Sequence, residues 1–96
     1  AARDAGRAAE RGGQSAVALR ALHEAVRLGD IHAVDGIARL TAEVDCVFAT
    51  LALQHARAFV AGDAERLTAV SDAFADLGMM AAAADASAQA HAARQS

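Results

Sequence analysis

Proline, tryptophan and tyrosine are absent from this 96-residue chain, and its only aromatic side chains are three phenylalanines. Without proline no residue forces a helix to break, and alanine, the residue with the highest helix propensity, makes up almost a third of the sequence. The composition therefore predicts an all-α protein without strands. Because alanine side chains bury little area, we expect closely approaching helices and modest intrinsic stability.

The scarcity of cysteine and of long apolar runs excludes two further features. Cys46 is the only cysteine, so no disulfide can form within the chain, and this usage fits a reducing cytoplasm. No run approaches the ~18 consecutive apolar residues that cross a bilayer. Charged residues recur throughout the sequence. We therefore expect a cytoplasmic protein that makes no membrane contact.

Lysine is also missing, since all nine basic residues are arginine, and these are interspersed among twelve acidic residues. The formal net charge is −3 with histidine neutral, and there is no basic stripe. A nucleic-acid interface needs a basic patch, so this segment is not expected to contact DNA or RNA directly. The first residue is Ala1 rather than methionine, which favours a single segment, residues 1–96, of a longer chain.

Two Gly-Asp pairs, Gly29-Asp30 and Gly62-Asp63, organise the sequence. Glycine readily adopts the positive φ that often ends a helix, and aspartate caps the next helix by accepting from its free N–H groups. The two glycines are 33 positions apart, close to the ~34-residue period of two-helix repeats. We therefore predict antiparallel helical hairpins, a tetratricopeptide-like α-solenoid fragment, with repeat units at about 17–45 and 50–78.

These junctions and the apolar spacing predict five to six helices. The Gly12-Gly13 pair should end the first helix, Ser15 should cap the second, and Gly78 should end the fifth. No glycine or proline marks the end of the third helix. A shift of 33 residues places Asp45 opposite Gly78, so we place that turn at Asp45-Cys46. The predicted helices are 1–11, 15–28, 30–45, 46–61, 64–77 and 79–94.

The larger apolar residues of these helices recur at helical spacing and should form the core. Each hairpin would then expose an apolar face that only a neighbour can cover, as in an α-solenoid. The larger residues of the predicted stripes are Leu19, Leu22, Val26, Ile31, Val34, Ile37, Val47, Phe48, Leu51, Leu53, Phe59, Leu67, Val70, Phe74 and Leu77.

Four histidines, His23, His32, His55 and His91, are the natural candidates for a metal site. No two of them have the i, i+4 spacing that lets one helix present two ligands. His23 and His32 flank one turn and could meet, but surface or half-buried imidazoles are the favoured interpretation. His55 precedes Phe59 by four residues, which favours packing of these two rings. We therefore expect no metal and no other cofactor.

The sequence contains no convincing catalytic group. Cys46 falls at a predicted helix start, which favours a thiolate, but a small apolar residue at a helix junction is the favoured interpretation. Asp72 and Asp76 lie on one solvated helical face. No glycine-rich phosphate loop follows a predicted strand. We therefore expect a protein that is not an enzyme.

Phe59, Phe74, Met79 and Met80 are candidate interface residues, although core packing is the favoured interpretation of such large side chains. Methionine suits adaptable contact surfaces, and the two methionines begin an alanine-rich terminal helix through which two copies could associate, residues 79–93.

A groove between the helices could instead bind a small-molecule effector. Such a groove would be lined by Phe48, Phe59 or His55. This alternative remains open at the level of the sequence.

Five stretches resemble one known family. They are ALHEAVRLGD (21–30), Val44-Asp45, HARAFVAGD (55–63), FADLG (74–78) and AAAADASAQA (81–90). Together they resemble the helical, tetratricopeptide-like segment of large actinobacterial LuxR-type transcriptional regulators. The family often has glycine after the Val-Asp turn, where this chain has Cys46.

The resemblance implies a role but no chemistry. In that family the segment follows a nucleotide-binding ATPase module, some members begin with a nucleotide-cyclase-like domain, and a DNA-binding helix-turn-helix closes the chain. None of their functional residues falls in this sequence. The resemblance therefore implies a non-catalytic scaffold that links sensor or ATPase modules to the DNA-binding domain, with the other domains of the same regulator as its partners.

Overall fold

The computed structural model describes the backbone of residues 2–44 and 46–96, and the side chains of 13–44 and 46–96. Within these residues the chain is all-helical and has no strand, which confirms the all-α part of the predicted fold class. The elements are α1 (Ala2–Arg27), a 3₁₀ turn (Ile31–Ala33), α2 (Val34–Thr41), α3 (Val47–Ala61), α4 (Ala64–Asp76) and α5 (Met80–Gln95). None of the helices described is long and apolar enough to cross a membrane.

Glycines end three of the helices in the predicted way. Gly29, Gly62 and Gly78 have φ values of +98°, +64° and +79°. After each glycine, the N–H of the next residue bonds to the carbonyl of Ala25, Ala58 or Phe74, at 2.9, 3.0 and 2.9 Å. This six-to-one bond satisfies a carbonyl that the end of a helix would leave without a partner. The same backbone junction therefore recurs after α1, α3 and α4, and the first two occurrences are the ones that the sequence repeat indicated.

Two aspartates cap the elements that follow. Asp30 Oδ1 accepts from His32 N at 2.8 Å, and Asp63 Oδ1 accepts from Arg66 N at 3.1 Å. Such caps are typically worth about 1 kcal/mol each. Both junctions thus stop one helix and start the next within three residues.

A pair of glycine substitutions should change stability in opposite directions. Gly62→Ala should lower the free energy of unfolding by about 1–2 kcal/mol, because alanine is strained at positive φ. Gly13 lies inside α1, and a methyl group added there would meet open space, so Gly13→Ala should raise stability by about 0.5–1 kcal/mol. Urea unfolding followed by circular dichroism measures both. Equal changes of the same sign would contradict this interpretation of the junction.

The predicted helix end at Gly12-Gly13 is wrong, because α1 is continuous from Ala2 to Arg27. An interior glycine costs about 1 kcal/mol relative to alanine, which tertiary contacts can outweigh. Ser15 is accordingly not a cap: it is buried within α1, and its Oγ donates to Glu43 Oε2 at 2.6 Å. The segments 1–11 and 15–28 are one helix, which leaves five α-helices among the described residues.

The third predicted helix, 30–45, is shorter than expected. It begins as the 3₁₀ turn and continues as α2 to Thr41, while Asp45 lies outside the described residues. Helix α3 begins at Val47, close to the predicted position, and Cys46 Sγ accepts from Ala49 N at 3.4 Å. The cysteine therefore occupies the capping position of α3.

Gly36 marks a close crossing of α2 and α1. A Cβ atom at Gly36 would lie 2.8 Å from Leu22 Cδ1, which is inside van der Waals contact. This close approach explains why a glycine stands inside the helix, where alanine would otherwise be more favourable by about 1 kcal/mol.

The apolar core consists of three clusters of buried residues. The first joins α1, the 3₁₀ turn, α2 and α3; the second and third join α3, α4 and α5. The first contains Leu19, Val26, Ala33, Ile37, Ala49, Ala52 and Ala56, and the second Leu51, Val70, Phe74, Ala82, Ala83 and Ala86. The third contains Ala58, Leu67 and Ala90. The predicted core is confirmed for most of its larger members.

Three predicted core residues lie at the surface instead. Ile31, Val47 and Leu77 expose 51%, 62% and 48% of their surface. Each lies at or next to the end of its element. Helical spacing alone does not show where the packed layer stops.

Each helix packs against the next one along the chain, and α1 also contacts α3 and α5. In an open stack of helical hairpins, each repeat contacts only its neighbours. The contact between α1 and α5 is therefore additional to the predicted arrangement. It lies next to the site described below.

Candidate functional site

The polar groups at the centre of the fold come from three helices. His23 on α1 and His55 on α3 are buried, with 2% and 0% of their surface exposed. His23 lies four residues after Leu19 and three before Val26, on the buried face of α1. His55 lies four residues after Leu51 and three before Ala58, on the buried face of α3. We call these two residues the histidine pair.

A chain of hydrogen bonds runs through the histidine pair to α5. His23 Nε2 lies 2.9 Å from His55 Nδ1, and His55 Nε2 lies 2.6 Å from Gln89 Oε1. Gln89 Nε2 donates to the Val26 carbonyl oxygen at 2.8 Å and faces that of Arg27 at 3.4 Å. The chain thus connects α1, α3 and α5 and returns to α1.

The direction of every bond follows from the amide of Gln89. Its Nε2 donates to a carbonyl, so its Oε1 must accept from His55 Nε2. A neutral His55 with hydrogen on Nε2 accepts at Nδ1, so His23 donates from its Nε2. The geometry therefore assigns the same tautomer, hydrogen on Nε2, to both rings.

Phenylalanine rings enclose the histidine pair. The ring centroid of Phe48 lies 5.3 Å from that of His23 at 83°, and Phe74 lies 5.1 Å from His23 and 5.7 Å from His55. These distances are typical of aromatic packing. The two imidazoles thus have apolar neighbours on several sides and polar partners only at their edges.

This environment keeps both imidazoles neutral. The pKa of His23 is lowered to about 4, mainly by burial; His55 and Arg27 also contribute to the lowering, while Asp85 opposes it. Burial also lowers the pKa of His55, against the opposing effects of the bond to Gln89 and of Asp85. Removing an imidazolium from water disfavours its charged form.

An ion pair lies at the edge of this site. Arg27 Nε donates to Asp85 Oδ2 at 2.7 Å, which joins the end of α1 to α5. The two side chains expose 28% and 41% of their surface, so the pair is partly solvated. A solvated ion pair contributes at most about 1 kcal/mol. Its importance here is that it adds a second polar connection between α1 and α5.

The arrangement is suited to holding helices together rather than to binding a metal. The facing nitrogens of the histidine pair bond to each other. Among the residues that the structure describes, no three His, Cys, Asp or Glu side chains are grouped so that they could hold a metal ion. A protein zinc site usually needs at least three such ligands.

The sequence analysis did not predict that His23 would bond to His55, or that His55 would bond to Gln89. His32, the proposed neighbour of His23, is exposed, as is His91. The rings packed on His55 are those of His23 and Phe74. One signal was present: the histidine pair is separated by 32 residues, one less than the repeat, and both members fall on apolar stripes.

The candidate interface residues have different environments. Phe74 is fully buried and has no surface left for a partner, whereas Met80 is 61% exposed. Phe59 and Met79 are half-buried, and Phe59 Cζ would lie 3.9 Å from a Cβ at Gly29. The remaining candidates for chemistry, Cys46, Asp72 and Asp76, are exposed.

A groove of about 370 Å³ lies between α3 and α4. The groove is lined by two arginines, a glutamine and two small apolar residues. They are Gln54, Arg57, Arg66, Ala69 and Val70. None of Phe48, Phe59 and His55, which the sequence suggested for such a groove, lines this one.

Comparison with known proteins gives no match to any family model, curated protein or solved structure.

Proposed function

We propose that this chain is a non-catalytic helical scaffold that positions other domains of a LuxR-type transcriptional regulator. The observation that supports the scaffold role is that the buried polar side chains bond to other parts of the same fold. Among the described residues these are Ser15, His23 and His55, and each bonds to a residue from another part of the fold. Groups that serve catalysis need access to a substrate, whereas these groups are satisfied within the protein.

The recurring junction supports a tetratricopeptide-like segment. Both Gly-Asp turns have the same hydrogen bonds and left-handed glycine, one repeat length apart. Proteins built from such hairpins bind partners through extended surfaces. The assignment to a LuxR-type regulator rests on the resemblance of the sequence, and the regulator's other domains are the proposed partners.

The end of the fold where α1 and α3 stop offers a surface for such a partner. Leu28 exposes 84% of its surface, Ile31 51% and Val60 49%. The packing of Phe59 near Gly29 brings the ends of α1 and α3 together. Large exposed apolar residues that cluster in this way are typical of protein contacts.

The gene and a binding measurement test this proposal. The coding sequence beyond Ser96 should contain a helix-turn-helix domain, and that domain or the preceding module should bind the purified chain in isothermal titration calorimetry. Leu28→Ser with Ile31→Ser should weaken binding about tenfold or more, the effect of losing about 1.4 kcal/mol at an interface. Leu77→Ser, at a different junction, should leave the affinity unchanged. A stop codon directly after Ser96, or equal losses in both variants, would contradict the proposal.

The groove between α3 and α4 supports a second candidate function, the binding of a small-molecule effector. Arg57 would favour an anionic ligand, since guanidinium groups bind carboxylates and phosphates in bidentate geometry, whereas Arg66 Nε already pairs with Asp63 Oδ2 at 3.3 Å. A thermal-shift screen of sugars, nucleotides and carboxylates on the wild-type chain and on Arg57→Gln distinguishes the two functions. Stabilisation that is lost in the variant would favour effector binding.

Self-association through α5 can use only the part of this helix that is not already buried within the chain. Ala82, Ala83, Ala86 and Ala90 are buried within the chain itself, so this face cannot also contact a second copy. Met80 remains exposed at the start of the helix. Light scattering at high concentration measures whether the chain associates through what remains.

A further inference from the structure

Helix α1 meets the last two helices through one contact between rings and two sets of polar contacts. The aliphatic residues Leu19 and Val26 of α1 belong to the first apolar cluster, with α2 and α3. Towards α4 and α5, α1 presents the ring of His23 to Phe74, its terminal carbonyls to Gln89, and Arg27 to Asp85. The histidine pair lies where these two sets of contacts meet.

A charge on the histidine pair would remove what makes this contact stable. The first proton places an imidazolium among Phe48, Phe74 and the other ring, away from water. A second proton turns an N–H toward an N–H at the 2.9 Å contact, and the bond between the rings is lost. Hydration of the charged rings then requires α1 to separate from α4 and α5, the side on which the first apolar cluster does not hold it.

Few charged groups could compensate a charge on these rings. Arg27 faces the histidine pair from α1 and would repel an imidazolium. Asp85 faces it from α5 and would attract one, but it already accepts from Arg27. Helix α3 contributes His55 itself, and α4 contributes the apolar ring of Phe74.

We propose that the histidine pair is a proton-sensitive latch whose protonation releases α1 from α4 and α5 while those two helices remain packed together. Helix α1 stays packed on α2 and α3 through the first apolar cluster. Release exposes the rings of His23 and His55 on the side that Phe74 and Gln89 cover in the closed state. The inference concerns the chain alone and does not depend on the proposed partners.

The strength of the latch follows from the linkage between protons and conformation. A histidine that is exposed after release regains a pKa near 6.5, whereas the closed state binds a proton only at lower pH. Between these values, each histidine raises the ratio of released to closed molecules up to about tenfold for every unit of pH. Two histidines make the response steeper than one.

Distances between spin labels test the release directly. In a Cys46→Ser background, labels at Glu24→Cys on α1 and Ser87→Cys on α5 occupy exposed positions. Pulsed dipolar spectroscopy at about pH 7.5 should show one short distance, and a longer population should grow towards about pH 5. A second label pair, Asp72→Cys on α4 with Ser87→Cys, should keep its distance over the same range.

Two variants assign the response to the histidine pair. His23→Gln keeps a donor towards His55 but cannot titrate, so the pH dependence should lose about one proton's worth of steepness. His32→Gln with His91→Gln removes two exposed histidines and should respond like the wild type. The proposal is overturned if no longer population grows, if both label pairs separate together, or if the exposed-site variant shifts as much as His23→Gln. The wild-type titration decides the matter even if His23→Gln does not fold.

Discussion

Replacing Phe74 with alanine is expected to lower the free energy of unfolding by about 3–5 kcal/mol, as large-to-small changes of buried aromatic residues do. Phe74 is fully buried in the second apolar cluster and packs on both members of the histidine pair. Removal of the Phe74 ring would leave a cavity beside the two imidazoles on which it packs. Since domains of this size are stable by about 5–15 kcal/mol, this loss is a large part of the total.

Phe59→Ala is the matched control for this substitution. It removes the same atoms, but Phe59 is only half-buried and lies near the end of α3. The change should therefore cost clearly less than Phe74→Ala in urea unfolding followed by circular dichroism. Equal losses for the two variants would mean that the centre of the fold is not where the structure places it.

Acidification should destabilise the folded chain well before its carboxylates are fully protonated. The pKa of His23 is about 4 in the folded protein, against 6.5 for a histidine that is free of such surroundings, as in the unfolded chain. Below pH 6.5 the unfolded chain therefore binds more protons than the folded one, so stability falls as pH decreases. The contribution of His23 is complete above pH 6.5 and is lost by pH 4.

The size of this effect follows from the separation of the two pKa values. Each pH unit between them contributes about 1.4 kcal/mol, so His23 accounts for up to about 3.5 kcal/mol, and His55 adds a loss of the same sign. Urea unfolding at several pH values between about 7 and 4 measures the slope. His32→Gln with His91→Gln should retain it, whereas His23→Gln should flatten it. A stability that stays constant down to about pH 4.5 would show that the histidine pair is not buried as described.

The features that were predictable from the sequence are those that depend on neighbouring residues. The left-handed glycines at Gly29, Gly62 and Gly78 and the caps at Asp30 and Asp63 need only a few consecutive residues. These interactions form within one turn of chain whatever the rest of the fold does. The all-α class follows in the same way from alanine and the absence of proline.

The errors have their origin in contacts between distant residues. Gly12-Gly13 looks like a helix end, yet α1 continues, and Ser15 beyond it bonds to Glu43 from another part of the chain. Ile31 has the spacing of a core residue, but it is exposed, and its adjacent sequence does not show that no other helix covers it. Propensity and spacing set preferences that tertiary packing can override.

The candidate site was beyond local reasoning for the same reason. A polar residue on an apolar stripe indicates that a partner must exist, because a buried imidazole needs hydrogen bonds. It does not identify that partner. The bonds of His23 to His55 and of His55 to Gln89 span 32 and 34 residues, and only the three-dimensional arrangement selects them.

The bond from Gln89 to the carbonyls at the end of α1 also constrains the order in which the protein is made and folded. That bond spans 63 residues, so α5 must be synthesised before α1 can receive it. Helix α1 therefore emerges from the ribosome with its terminal carbonyls and the imidazole of His23 not yet covered. It can form early, but it reaches its final environment only after α5 has been made.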